Sequence, residues 1–122
     1  MPRFRLSSTA QEDIVQILAY TEERFGDTAR RRYEVLLVTG LRDIASDPDR
    51  AGSTARPELG SMVRSFHLRH CRDRARTQAG LVRQPRHLLL YRAMRADLIG
   101  VGRVLHDGMD IEAHVPSQYG DD

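Results

Sequence analysis

Lysine is absent from this chain: all 19 basic residues are arginine. Arginine presents a planar fork suited to carboxylates and phosphates and tolerates partial burial, so any basic surface here is built for bidentate contacts. Cysteine occurs once, as Cys71, which excludes an intrachain disulfide and agrees with a reducing compartment. No apolar run approaches the roughly 20 residues that cross a membrane as a helix. The opening stretch MPRFRLSS carries charge but no apolar signal core, so secretion is not expected and a cytoplasmic location is. There is no glycine-rich phosphate loop, no dinucleotide fingerprint and no glycine-flanked serine elbow, which sets aside the usual nucleotide-binding and serine-hydrolase chemistries.

What is present fits one soluble domain. The chain has 122 residues, 40% of them apolar and 30% charged, enough for a single modest core. Net charge is only +2, but it is unevenly distributed. Residues 1–55 nearly cancel, residues 56–95 hold 10 arginines against 2 acids, and residues 96–122 hold 1 arginine against 6 acids. The middle segment is therefore an anion-facing surface, for nucleic acid or for an acidic protein segment, or else a solvated face partly neutralised by the acidic tail.

Periodicity gives the organisation. Phe4-Arg5-Leu6 is a short strand, and Thr9 with Glu12 predicts a capping box opening a helix near Ala10. Ala10, Ile14, Ile17, Leu18, Thr21 and Phe25 form its apolar face, and Gly26 ends it. Asp27 is expected to cap a second helix with the stripe Ala29, Tyr33, Leu36, Leu37, Leu41 and Ile44, closed by Asp47-Pro48. Gly40 on that stripe implies a close approach, and the near-absence of a linker implies an antiparallel hairpin. Arg30, Arg31 and Arg32 at the helix N-terminus oppose the helix dipole and call for compensation by Glu22, Glu23 and Glu34, or for a partner. Residues 49–62 read as a loop. Residues 63–70 alternate as a strand with Phe66 and Leu68 inward, and 71–84 is a long excursion. Residues 86–92 are apolar on both faces and central, with helices over one side. Residues 93–97 turn, and 98–105 form the last strand, where Gly100 and Gly102 leave one face bare for something to lie against. The expected order is β-α-α-β-β-β, an α+β domain over residues 1–116 with a helical hairpin on one face of a mostly antiparallel sheet. Residues 117–122 are expected to fray.

Chemistry is thinly represented. His67, His70 and Cys71 lie close in sequence, and His106, Asp110 and His114 share helical spacing, but neither set has zinc-site spacing, so no metal and no cofactor is expected. Arginines flank Cys71 in sequence and would lower its thiol pKa, yet a lone cysteine beside a loop is more often passive. RNA cleavage needs a general base, a general acid and cations around the phosphorane. The parts for it are His106, Arg103, Arg64 and Tyr91, with His87 and Arg92 nearby in sequence. His106 reads more simply as a cap, its imidazole bonded to Asp110 or to backbone at the C-terminal turn. A plain nucleic-acid-binding domain is the third possibility, though aromatic stacking residues on the arginine-bearing strands are limited to Phe66 and Tyr91.

Several segments together resemble the ParE toxins, within the RelE/ParE superfamily of bacterial type II toxin–antitoxin modules. They are Phe4–Ser8 followed by Ala10, Asp13, Ile14 and Ile17; Tyr20-Thr21 with Arg24-Phe25-Gly26; Leu41, Ile44 and Pro48; Val63-Arg64; Leu90-Tyr91-Arg92; and Arg103-Val104-Leu105-His106 with Met109-Asp110 and His114-Val115. The likeness runs over about residues 3–115, and the stretch 71–84 is longer than the family pattern. The resemblance implies a helical hairpin over a sheet. It implies a toxin neutralised by a cognate ParD-like antitoxin, whose C-terminal segment wraps the toxin and whose N-terminal domain carries the complex to operator DNA. RelE-like members are ribosome-dependent mRNA endonucleases, and ParE-like members poison DNA gyrase. The lack of a clear general base at the strand ends and the Tyr91-Arg92 and Leu105-His106…Met109-Asp110 signatures favour the gyrase branch. An acidic amphipathic antitoxin segment would suit the arginine excess, with Arg64, Arg69, Arg92 and Arg103 as the expected polar contacts.

Overall fold

The computed structural model describes residues 3–121. A strand β1 (Arg3–Leu6) leads into helices α1 (Ser8–Phe25) and α2 (Asp27–Ser46), followed by strands β2 (Ser53–Ala55), β3 (Val63–His67), β4 (His87–Arg95) and β5 (Leu98–His106). Single 3-10 turns occur at Pro57–Leu59, Leu68–Cys71, Asp73–Ala75 and Ile111–His114. The strands form one five-stranded sheet in the order β1-β5-β4-β3-β2, with β1 parallel to β5 and every other pair antiparallel. This is the expected α+β architecture, with one strand more than the periodicity showed. β2 lies in the segment read as loop, where three residues are too few to display alternation.

The helical hairpin covers one face of the sheet. Its core joins Leu36, Leu37, Leu41 and Ile44 of α2 to Phe66, Leu89, Tyr91, Ile99, Val101 and Val104 of the sheet. Gly40 lets α2 settle: a Cβ there would sit 2.6 Å from Leu68 Cδ2. A second, smaller core lies on the opposite face, built from Leu59, Val63, Leu88, Leu90, Leu105 and Tyr119. That explains why β4 is apolar on both sides. The expectation of covering helices on one side was right, and the other side is covered by the chain's own C-terminal segment.

Local boundaries differ from the sequence-based expectations for identifiable reasons. The α1 cap is Ser7, not Thr9 with Glu12: Ser7 Oγ accepts the Ala10 amide at 3.0 Å and donates to the Gly102 carbonyl at 2.8 Å. A long-range bond to β5 thus selects one serine over an equally good local box. Phe25 is 69% exposed, because it ends its helix beyond the partner face. Gly26, with φ +95°, serves as the cap of both helices, and Asp27 is already helical. Asp27 instead pairs with Arg30 and Arg31, and Arg30 also reaches Glu22 and Glu34. This is how the cationic N-terminus of α2 is balanced. β3 stops at His67, whose Nδ1 accepts the Arg69 amide and turns the chain into a 3-10 turn. The β4–β5 hairpin turns over Ala96-Asp97 alone, with the strands longer and shifted in register near Tyr91 and Ala93.

The expectation of a frayed tail does not hold for residues 117–121. Tyr119 is 4% exposed. Pro116 lies over Gly102, and the Tyr119 backbone lies so close over Gly100 that no Cβ fits there. The Tyr119 ring receives the Arg92 guanidinium at 4.6 Å, and Arg92 also pairs with Asp121 at 3.4 Å. Residues 116–121 form a strap that fills the bare glycine face of β5. Residue 122 lies outside the described residues.

Candidate functional site

The sequence-proposed site residues fall into separate places. Arg64 and Tyr91 meet at the β2 end of the sheet. Tyr91 OH donates to the Pro48 carbonyl at 2.6 Å, so Ser53 Oγ donates to Tyr91 OH, and Ser53 in turn accepts Arg64 Nε at 2.7 Å. Asp49 stands 3.5 Å from the same guanidinium. This network ties the α2–β2 connection to the sheet, and burial first of all raises the Tyr91 phenol above its usual range. Arg103 lies under α1, where Asp13 accepts its Nε at 2.8 Å and Nη2 at 3.0 Å together with the Val104 amide at 3.0 Å. Arg92 is engaged by the strap. Arg69 alone of the four expected contact arginines carries no ion pair or side-chain hydrogen bond on its guanidinium among the described residues.

His106 lies at the end of β5, away from Tyr91 in the middle of β4. It registers with His87, and Tyr91 is four residues further along β4, about 13 Å at the usual strand rise. The endonuclease set His106, Arg103, Arg64 and Tyr91 is therefore not brought to one point. As expected of a cap, His106 fixes the turn, with its Nδ1 accepting the Gly108 amide at 2.9 Å. The partner is backbone, not Asp110.

Around His106 the ends of β3, β4 and β5 gather three imidazoles whose tautomers follow from their partners. Tyr33 OH accepts the Arg86 amide and shares a short hydrogen bond with His87 Nδ1, which the Tyr33 proton can supply to a neutral His87. His67 Nδ1 is occupied by the Arg69 amide, so Nε2 carries the hydrogen donated to Asp107 at 2.9 Å. His87 packs edge-on against both Tyr33 and His106, each at 5.4 Å between ring centroids. Asp107 also meets Arg86 at 3.2 Å, and the His67 hydrogen bond holds its carboxyl below the usual range. Burial, with His106 adding to it, pushes the His87 pKa down to about 4, and burial pushes Tyr33 up to about 12. The sequence groups His87 with His106 and His67 with His70 and Cys71, but it does not bring His67, His87, Tyr33 and Asp107 together. They come from four segments: strand register joins His67, His87 and the end of β5, and the packing of α2 on the sheet brings in Tyr33.

A measurable pH dependence follows. An unfolded histidine titrates near 6.5, so folding stability is fully present above about pH 6.5. It falls as protons favour the unfolded chain, and it flattens below the folded value of about 4. Allowing for partial solvation, the loss is about 2 kcal/mol. Urea denaturation at pH 7.5, 5.5 and 4.0 should show it, and His87→Gln should remove most of the slope between pH 6.5 and 4. An unchanged slope in that variant would assign the titration elsewhere.

Cys71 is buried, and burial raises its thiol to about 11, which overturns the expectation that neighbouring arginines lower it. Arg74 spends its charge on Asp43, and desolvation outweighs what remains. Among the described residues, no group of three or more His, Cys, Asp or Glu side chains is arranged to hold a metal ion, and no helix is long and apolar enough to cross a membrane.

Comparison with known proteins agrees with this layout. No curated protein matches the chain. A family model described as the ParE toxin of the type II toxin–antitoxin system parDE matches residues 4–111. That span runs from β1 to the turn after β5, and so takes in both helices, the whole sheet and the histidine end. Characterised members of the family are toxins that inhibit DNA gyrase as protein ligands, not as catalysts, and are neutralised by an antitoxin. With the match extending over nearly the whole described fold, the chain belongs to the ParE toxin family.

Proposed function

We propose that this protein is the toxin of a type II module, acting in the cytoplasm by poisoning DNA gyrase and held inactive by a cognate ParD-like antitoxin. The observation that carries this is the family match over residues 4–111. Operator DNA is reached only through the antitoxin. The dispersal of Arg64, Arg103, Tyr91 and His106 supports an inhibitory surface over a nuclease centre, because phosphodiester cleavage requires its acid, base and cations around one phosphorus. Arg69 remains the strongest of the four arginines as a direct contact. Arg64, Arg92 and Arg103 act on partners through the surfaces they brace.

The test pairs two readouts on the purified chain. Gyrase supercoiling of relaxed plasmid should fall with added protein and recover with stoichiometric antitoxin, while mRNA in a translating extract stays intact. Supercoiling that persists at protein excess sinks the proposal, and ribosome-dependent cleavage would replace it with the endonuclease alternative. Arg69→Glu should weaken inhibition or antitoxin capture about tenfold without moving the thermal midpoint, as expected for a contact charge and not a scaffold charge.

A further inference from the structure

β1 is an edge strand whose outer side is open. The Arg3 amide donates to the Asp97 carbonyl and the Ser7 amide to the Val101 carbonyl. Strand alternation therefore turns the odd-numbered amides towards β5 and leaves the Phe4 and Leu6 amides facing outward. The Leu6 carbonyl on that side is met by the Gln11 side chain at 3.3 Å. Among the described residues, nothing bonds the Phe4 amide or carbonyl or the Leu6 amide. Sheet edges left like this are templates for another strand.

A cavity of about 510 Å³ lies beside the same edge, between β1 and the C-terminal half of α2, lined by Arg3, Phe4, Arg42, Ala45 and Ser46. Its floor is apolar where Phe4 and Ala45 border the main core. Its rim is cationic. Arg42 on that rim has no ion-pair partner among the described residues, and Arg3 has only a long, exposed contact to Asp97 at 3.7 Å; Arg5, outside the cavity on the other face of β1 beside Gly120, is also without an ion-pair partner among them. These unneutralised arginines contrast with Arg30, Arg64, Arg74 and Arg103, all of which are paired within the chain.

From the open β1 edge and the arginine-rimmed cavity beside it, we infer that this edge captures an extended acidic peptide segment as a sixth strand. Added to β1, such a strand takes its main-chain bonds from Phe4 and Leu6. It points one set of side chains over Phe4 and Ala45 and the alternate set towards Arg3 and Arg5. Its preferred pattern is apolar residues alternating with Asp or Glu, with a carboxylate in reach of Arg42. The toxin proposal supplies only the identity of the partner, an antitoxin segment. The place and mode of capture stand apart from the gyrase target, so a negative supercoiling assay leaves this inference untouched.

The probe is a fluorescein-labelled synthetic peptide of alternating Glu and Val, seven residues long, with its Gln-for-Glu counterpart as control. Titration of the full chain, followed by anisotropy, should show the acidic peptide binding at least tenfold more tightly. Arg42→Glu and Arg5→Glu, both with unchanged thermal midpoints, should each weaken it about tenfold. Hydrogen exchange should show Phe4 and Leu6 amides protected only when the peptide is bound. Equal binding of both peptides, indifference to both charge reversals, or protection elsewhere without change at Phe4 and Leu6 would overturn the inference. So would protection of these amides that rises with protein concentration in the absence of peptide, which would assign the edge to a second copy of the chain.

Discussion

Replacing Asp13 with Ala should cost the fold about 3 kcal/mol, among the largest effects available to a polar substitution here. Asp13 accepts three hydrogen bonds, two from the Arg103 guanidinium and one from the Val104 amide. The pair is mostly buried, with 12% and 21% of the two side chains exposed. Removing the carboxylate strands a guanidinium and an amide between α1 and β5, and breaking one side of such a pair is far worse than replacing both. The double variant Asp13→Leu/Arg103→Met should therefore regain most of the loss. Denaturant unfolding of the four members of the cycle measures the coupling directly. If Asp13→Ala costs less than about 1 kcal/mol, the pair is peripheral and Arg103 returns to the list of free contact residues. The cycle also separates scaffold from function, because a stable double variant that keeps toxicity shows that Arg103 acts only through the fold.

Gly100→Ala should release the C-terminal strap. The added methyl would overlap the Tyr119 main chain, and a backbone carbonyl cannot swing aside as a side-chain tip does. Freed, Tyr119 loses its burial against Leu59, Leu90 and Leu105 and its contact with Arg92, together about 3 kcal/mol. Tyr119→Ala should cost a similar amount, and the double variant little more than either alone, because both act on one docking event. Hydrogen exchange at residues 117–121 should rise in each variant while the β3–β4 amides stay protected. Continued protection of the strap in Gly100→Ala would show that it is held by something other than the glycine floor.

These two sites also show where sequence was legible. The helical hairpin, the central β4–β5 pair and the core residues Leu36, Leu37, Ile44, Phe66 and Leu89 follow from periodicities of 3.6 and 2, which local sequence carries in full. The glycine pair in β5 announced a close neighbour, but nothing in the tail's composition identified Tyr119 as that neighbour. Asp13 had a local signal that went unused: it lies three residues from Ala10 and four from Ile17, so it borders the buried face of α1, where an unpaired acid would not survive. The histidine end had none, because His67, His87 and His106 meet only through strand register. The arginine count correctly flagged an unusual residue, yet it could not separate the guanidinia that brace the fold from Arg5, Arg42 and Arg69, which have no ion pair among the described residues. For Arg64 and Arg103 that distinction depends on partners 11 and 90 residues away in sequence.

The parallel pairing of β1 with β5 has a consequence for biogenesis. The first strand of the chain and the Ser7 cap of its first helix find their partners 95 residues later, in Leu98–Val101 and Gly102. During synthesis the hairpin of α1 and α2 emerges early and makes local contacts, but the sheet cannot be assembled in order from the N-terminus. β4 and β5 must leave the ribosome before β1 has anything to pair with, and such distant closures are the slow step of folding. Until then the β5-facing amides of Arg3 and Ser7 and the face of α1 that packs on β5 are uncovered together. A newly made molecule thus passes through a window in which it is unfinished and open to capture.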